Sequence, residues 1–281
     1  MQALVRNPDK AQQLKQLGVN LIPGDLDDAA ALQQLVAKTT AVIHAAGVVR
    51  GHCQQDFDRI NVAGTETLVA AVEAASQHPR LLLLSSLAAR EPELSWYAAS
   101  KRDGEEVLKA HPGMDWIVLR PPAVYGPGDK EMLPVFQAMS RGVAPVPGKT
   151  TSRISLVHVT DLVTAVIAAL QTDATRQQTL TLCDGRENGY DWREMADIAG
   201  IVWGRKVRLW QVPTRLLDWI AQINVTSARL TGRAPMLTPP KLRELRHPNW
   251  VVDNQLMTEM TGWRPSTGLQ KGLEMLDKAE I

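Results

Sequence analysis

Tyr97 and Lys101 stand four residues apart in Trp-Tyr-Ala-Ala-Ser-Lys, and Ser85-Ser86 lies one short loop upstream. At a helix start, a spacing of four puts a phenol and an ammonium on one face. An ammonium beside a phenol favours the phenolate and is expected to lower the tyrosine pKa from about 10 toward neutrality. Tyr97 is then a usable general acid–base for hydroxyl or carbonyl chemistry. A serine hydroxyl nearby can donate to the substrate oxygen and fix its position. Taken alone, the same pair reads more often as a half-buried aromatic and a surface lysine. Its surroundings favour the chemical reading.

Those surroundings are alternating strands and helices. Arg80 to Ser85 is a continuous apolar strand of the kind buried on both faces, and it ends in the two serines. Ligands gather at that edge of an open α/β sheet. Tyr97 to Ala110 is expected to be helix and Trp116 to Arg120 the next strand. Before them come short strands at Gln2–Val5 and Val19–Ile22, a helix from Lys10 to Leu17, and a strand from Ala41 running into a tight turn at Gly47. A helix from Val62 to Ala75 shows a period near 3.6. The pattern implies right-handed crossovers in a doubly wound parallel sheet, fold class α/β. The regularity fades after Pro121-Pro122, where Ala144 to Gly148 reads as loop or edge strand and Asp161 to Leu170 as helix. Residues 1–145, with 154–184 returning to them, are expected to form the cofactor domain, and 185–281 mainly a smaller mixed substrate lobe.

The chain has 281 residues and a formal net charge of +1, which gives no global attraction to nucleic acid or membranes. Two cysteines, Cys53 and Cys183, are too few for a disulfide framework or a zinc site, so no metal is expected. A reducing cytoplasm is the default location. No stretch is apolar enough to span a membrane. The charge is uneven, however. Residues 201–250 hold nine basic side chains, Arg205, Lys206, Arg208, Arg215, Arg229, Arg233, Lys241, Arg243 and Arg246, against Asp218 and Glu244, a net of +7. That segment reads equally as a site for an anionic ligand or membrane surface and as a solvated face.

Taken in order, the motifs resemble the extended short-chain dehydrogenase/reductase superfamily, also called the NAD-dependent epimerase/dehydratase family. The matching stretches are Gly24-Asp25-Leu26, His44-Ala45-Ala46-Gly47, Asn61 to Thr65, Ser86 with Tyr97 and Lys101, Arg120 to Gly128, Ile154 to Leu170, and Gly262 to Pro265. Each is modest alone, but together they are specific. The resemblance implies a Rossmann-like fold and a catalytic set of Ser86, Tyr97 and Lys101, with Ser86 preferred to Ser85. It implies cofactor contacts from Asp25 and Leu26 at the adenine, from Ala45, Ala46 and Gly47 beside the riboses, and from Lys101 at the nicotinamide ribose. Pro121, Ala123 and Val124 would lie on the nicotinamide side, with Tyr125 as a candidate substrate contact. It also implies a homodimer through the helices carrying Tyr97 and following Asn61.

The family's first strand leads into a Gly-x-x-Gly-x-x-Gly turn whose helix N-terminus approaches the pyrophosphate. This sequence has no such turn. The reading is a Rossmann-like domain lacking its first strand and helix, roughly 30 residues by the usual size of such a unit. The expectation for the polypeptide as given is negligible NADP affinity. Arg6, at the end of the second strand, suits the extra phosphate of NADP better than the ribose hydroxyls of NAD. The other reading of Arg6 is a solvent-exposed turn residue.

The expected reaction interconverts a hydroxyl and a ketone on a bulky hydrophobic substrate. Leu87-Ala88-Ala89 lacks the acidic residue of sugar-nucleotide dehydratases, and Pro213 to Arg233 is both apolar and basic, resembling the branch of 3β-hydroxysteroid dehydrogenases and lipid-ketone reductases. One alternative is a sugar-nucleotide epimerase or dehydratase, with Arg153 holding a substrate phosphate. Another is a non-catalytic cofactor-binding or assembly scaffold, or an inactive fragment.

Overall fold

A computed structural model of the chain describes residues 1–231, 235 and 237–276, apart from the side chains of 228–231. Arg229 and Arg233 of the basic segment therefore lie outside the described side chains. Twelve strands and twelve α-helices are present among the described residues. The first half contains β1 (Gln2–Val5), α1 (Gln12–Gln16), β2 (Asn20–Pro23), α2 (Ala29–Val36), β3 (Ala41–His44), α3 (Gln54–Asp58), α4 (Gly64–Ala74), β4 (Arg80–Leu84), α5 (Trp96–Lys109), β5 (Trp116–Arg120) and β6 (Ala123–Tyr125). The second contains α6 (Leu133–Ser140), β7 (Val143–Val146), β8 (Arg153–Ile154), β9 (Leu156–His158), α7 (Val159–Leu170), β10 (Gln178–Thr181), α8 (Trp192–Trp203), β11 (Arg208–Gln211), α9 (Thr214–Thr231), α10 (Pro239–Leu245), β12 (Asn249–Trp250), α11 (Gln255–Thr261) and α12 (Leu269–Glu274).

Four strands form the central parallel sheet in the order β10-β5-β4-β3. Its strands carry apolar side chains on both faces, and the two-residue alternation sends them to different cores. Leu81, Leu83, Trp116 and Val118 point into a cluster with Leu32 and Val36 of α2, Leu68, Val69 and Val72 of α4, and Leu108 of α5. Leu82, Ile117 and Leu119 point the other way, onto Leu162, Ala165 and Val166 of α7 and Met257 of α11. Helices thus cover both faces, the doubly wound arrangement that the alternation predicts. Each of these leucines contributes about 1.5–3 kcal/mol by its burial.

β1 and β2 form a separate parallel pair, tied to the rest by Leu4 in the first core and by Gln2 Nε2 donating to Leu35 O at 2.6 Å. Among the described residues no strand pairs with the outer edge of β3, where Ile43 is 52% exposed.

The observed elements refine the sequence reading in two places. The helix expected from Val62 begins at Gly64, after a π-helical turn at Arg59–Ala63. Gly64 is needed there because a Cβ would stand 2.7 Å from Leu26 Cδ1. The stretch from Ala144 contributes to β7, which pairs in parallel with β11 in a third cluster built around Tyr125, Phe136, Met139 and Met195.

Candidate active site

Strand β4 ends at the two serines, and their hydroxyls have different tasks. Ser85 Oγ is buried and donates to Glu105 Oε1 at 2.5 Å. Ser86 caps the next turn by accepting from Ala88 N–H at 3.2 Å. It also lies near the Tyr97 phenol and acts to lower that group's pKa. Ser85 is thus spent on structure, and Ser86 is the serine that meets the tyrosine.

Helix α5 starts where Ser95 can cap it, its Oγ accepting from Ala98 N–H at 3.0 Å. Tyr97 therefore sits in the first turn, edge-on to Phe57 with ring centroids 6.5 Å apart. Lys241 Nζ of α10 stands 5.6 Å above its ring and is held by Glu244 Oε1 at 2.5 Å. The other carboxylate oxygen, Glu244 Oε2, accepts from Ser95 Oγ at 2.7 Å. The cap of α5 is thereby tied to α10.

The expected lowering of the Tyr97 pKa by Lys101 is corrected by the structure. Burial pushes the phenol up to about 12, with Ser86 acting against that and the carboxylates of Glu244 and Glu131 adding to it. Lys101 has turned to the sheet instead, donating to Leu84 O at 2.8 Å. Its own pKa falls to about 8 because it is buried, against an upward pull from Glu105. Desolvation is the largest influence on both groups, and Lys101 is not among those acting on the phenol.

Glu105, one turn beyond Lys101, is fully buried and anchors the helix. It takes Arg120 in a fork, at 2.8 Å to Nε and 2.5 Å to Nη2, besides the bond from Ser85. Asn61 ties a second side of the helix. Its amide nitrogen donates to Ser100 Oγ at 2.9 Å and to Val48 O at 3.1 Å, while its Oδ1 accepts from Val48 N–H at 2.9 Å. Gly104 permits this approach, since a Cβ there would lie 2.5 Å from Asn61 O. His44, at the end of β3, is buried against Thr65 Oγ1 at 3.0 Å, and burial, aided by Lys101, lowers its pKa to about 4.

The proposed cofactor residues lie at the carboxyl ends of the strands. Ala45, Ala46 and Gly47 form the exposed turn after β3, and a Cβ on Gly47 would lie 3.9 Å from Lys101 Nζ. Arg6 lines an open cleft after β1, and Lys10 shares it. Asp25 is exposed after β2, whereas the Leu26 side chain is in the core and leaves only its backbone for a ligand. Pro121 is buried and Ala123 and Val124 half-buried, in and beside β6. An ammonium with N–H groups to spare beyond its single bond to Leu84, and two cations in a cleft, fit the nicotinamide-ribose and phosphorylated adenosine ends of a dinucleotide. No glycine-rich turn accompanies them between those ends.

The two candidate substrate residues do not join this group. Tyr125 is fully buried against Phe136 and His158, packed so tightly that Gly272 has no room for a Cβ. It is a core residue. Arg153 spends its guanidinium on Asn188 O at 2.5 Å, Gly189 O at 3.0 Å and Glu194 Oε2 at 2.8 Å. It braces a turn against α8 and has little left for a phosphate. Conversely, Lys241 stands over the Tyr97 ring and Glu244 joins it to Ser95, and no local pattern in the sequence links the three. Ser95 carried the signal of a helix cap, but residues 149 apart in the chain carry none for each other.

Comparison with known proteins shows the family and the fold. Residues 2–183 match the NAD dependent epimerase/dehydratase family. The chain is 37% identical over 247 residues to a ceramide reductase of Caulobacter vibrioides, covering 87% of this chain and 76% of that protein. It is 30% identical over 152 residues to a 4-hydroxy-2-methyl-3-oxo-4-farnesyl-3,4-dihydroquinoline-1-oxide ketoreductase of Stigmatella aurantiaca, covering 48% of this chain and 46% of that protein. The crystal structure of UDP-glucuronic acid 4-epimerase from Bacillus cereus, in complex with UDP-glucuronic acid and NAD, superposes with a TM-score of 0.71 at 18% identity, covering 95% of this chain and 84% of that one. With the strand order, the Ser86–Tyr97–Lys101 constellation and these likenesses in agreement, the chain belongs to the NAD-dependent epimerase/dehydratase family.

Proposed function

We propose that this protein is an NADP-dependent oxidoreductase that interconverts a hydroxyl and a ketone on a bulky hydrophobic, sphingolipid- or sterol-like substrate. The observation that carries the reading is Tyr97, beside Ser86 and lining a small cleft with Val49, Phe57, Trp96 and Pro240 and with the cations Arg50 and Lys241. Apolar side chains beside one phenol, with two cations at the same cleft, suit a hydrophobic molecule with a polar reacting end. The nicotinamide, when bound, supplies or accepts the hydride. Ser86 donates to the substrate oxygen and fixes its place. Tyr97 gives its proton to that oxygen in reduction and takes it back in oxidation, and its protonated state at neutral pH suits the reductive direction. Lys101 holds the nicotinamide ribose with the N–H groups that Leu84 does not use. Arg6, with Lys10 in the same cleft, favours the phosphate of NADP. The likeness to a ceramide reductase supports the substrate class.

The test is NADPH oxidation with long-chain ketones by a form extended upstream through a glycine-rich strand–turn–helix, comparing Tyr97 with Tyr97→Phe. Turnover should fall roughly 10²–10⁴-fold if the phenol transfers the proton. Equal turnover in the two proteins would exclude this role for Tyr97.

A further inference from the structure

Among the described side chains, helix α9 carries two apolar stripes, one packed against protein and one exposed. Ala221 is fully buried, and Leu217 and Ile220 are half-buried against the lobe. Leu216, Trp219 and Ile223, spaced by three and four residues, form a second stripe, exposed by 39%, 64% and 44%. A tryptophan left so open in the middle of an apolar stripe calls for a partner.

The surrounding charge says which kind. Arg215 stands beside the stripe, and Arg205, Lys206 and Arg208 precede the helix, all exposed and none in an ion pair among the described residues. Asp218, an acid within the helix, is neutralised by Arg246 at 2.7 Å. The helix and the segment leading into it therefore carry unpaired positive charge. We propose that α9 docks on an anionic lipid surface, with Leu216, Trp219 and Ile223 at the acyl boundary and the basic side chains among the headgroups.

The size of the patch favours this over a second copy of the chain. The three side chains expose on the order of 300 Å², well below the roughly 800 Å² per partner of a standard protein interface. That is ample for an interfacial helix, where buried apolar area and attraction to anionic lipid act together. Tryptophan suits the boundary because its ring is apolar and its N–H can stay hydrated.

Docking here would also serve the site. Helix α9 packs on α10, and Pro235, Thr238, Pro240 and Lys241 line one cleft with Tyr97. A lipid leaving the membrane beside α9 would meet that cleft. This last step rests on the proposed lipid-like substrate, whereas the docking itself does not.

The experiment is co-sedimentation of the 281-residue chain with vesicles of equal parts phosphatidylglycerol and phosphatidylethanolamine, without NADPH or substrate. Binding should be clear at low salt and weaken in high salt. Trp219→Asp should reduce partitioning about tenfold or more, and Trp219→Phe should keep most of it. Arg215→Glu should cost about fivefold or more, since each basic side chain near the surface contributes about that much. A blue shift of tryptophan emission on binding should be reduced in Trp219→Phe. Equal binding by the parent and Trp219→Asp, no binding to anionic vesicles, or equal binding to pure phosphatidylcholine would overturn the proposal. So would a Trp219-dependent dimer in sedimentation velocity. Tyr97→Phe should bind vesicles like the parent, so a failure of the catalytic reading and a failure of docking are separable.

Discussion

Glu105 grips Arg120 with both carboxylate oxygens one helical turn behind Lys101, joining α5 to the end of β5. The carboxylate is fully buried and also receives the Ser85 hydroxyl from the end of β4. Breaking such a pair from one side leaves a charge without its partner in a poorly solvated place. Glu105→Gln should therefore lower stability by about 3 kcal/mol in urea, and Glu105→Gln with Arg120→Met should recover part of that loss. A single variant within 0.5 kcal/mol of the parent, about the size of an ordinary surface change, would show that the pair does not brace the site.

Lys101 should make the protein less stable at neutral pH than the site would otherwise permit. Its pKa is about 8 in the folded chain and 10.5 as its ordinary value. Between those pH values the unfolded chain holds a proton that the folded one has released, so stability rises with pH through that window. Below about 8 the penalty is fully present. Lys101→Met should raise stability at pH 7 by about 1–3 kcal/mol, the lost bond to Leu84 O offsetting some of the gain. The advantage should shrink as the pH approaches 10.5. Thermal melts across that range check it, and a pH-independent difference would refute it.

His44 acts in the acid range with the same sign, stability rising with pH between its folded and ordinary values. Burial holds it neutral, with a folded pKa of about 4 against 6.5 ordinarily. Its stabilising contribution is present above pH 6.5 and is lost as the pH falls through about 4. Replacing it with Gln, which can still bond Thr65, should flatten stability between those values by about 2–3 kcal/mol. An unchanged acid limb in urea melts would place the titration elsewhere.

The sheet was legible because its strands are short, apolar and regularly separated by helices. Leu81 to Leu84 advertise a strand with two buried faces, and the spacing of Tyr97 and Lys101 advertises one helix face. Local signals of that kind survive folding. The failures have a common cause in desolvation and long-range packing. Arg153 looked available until its turn partners and Glu194 surrounded it, and Tyr125 looked accessible until α12 closed over it. Neither could be read from residues nearby in sequence. The Tyr97 pKa went the other way for the same reason, since sequence spacing reports proximity to Lys101 but says nothing of the water removed from both.

All three tyrosines should resist ionisation, and that offers a test of the site without cofactor or substrate. Burial pushes the phenols of Tyr97, Tyr125 and Tyr190 up, Tyr97 to about 12 and the other two further. The folded protein at pH 10.5 should therefore show little phenolate absorbance, where an ordinary tyrosine would be mostly ionised. Tyr97 should ionise first, and Tyr97→Phe should remove that first step. Glu244→Gln removes one of the negative charges that raise the phenol, so it should bring the step to lower pH. It should do so without moving the other two, because Glu244 is not among the groups acting on either. An early step near pH 10 that survives Tyr97→Phe would show that the phenol is not held as the structure has it.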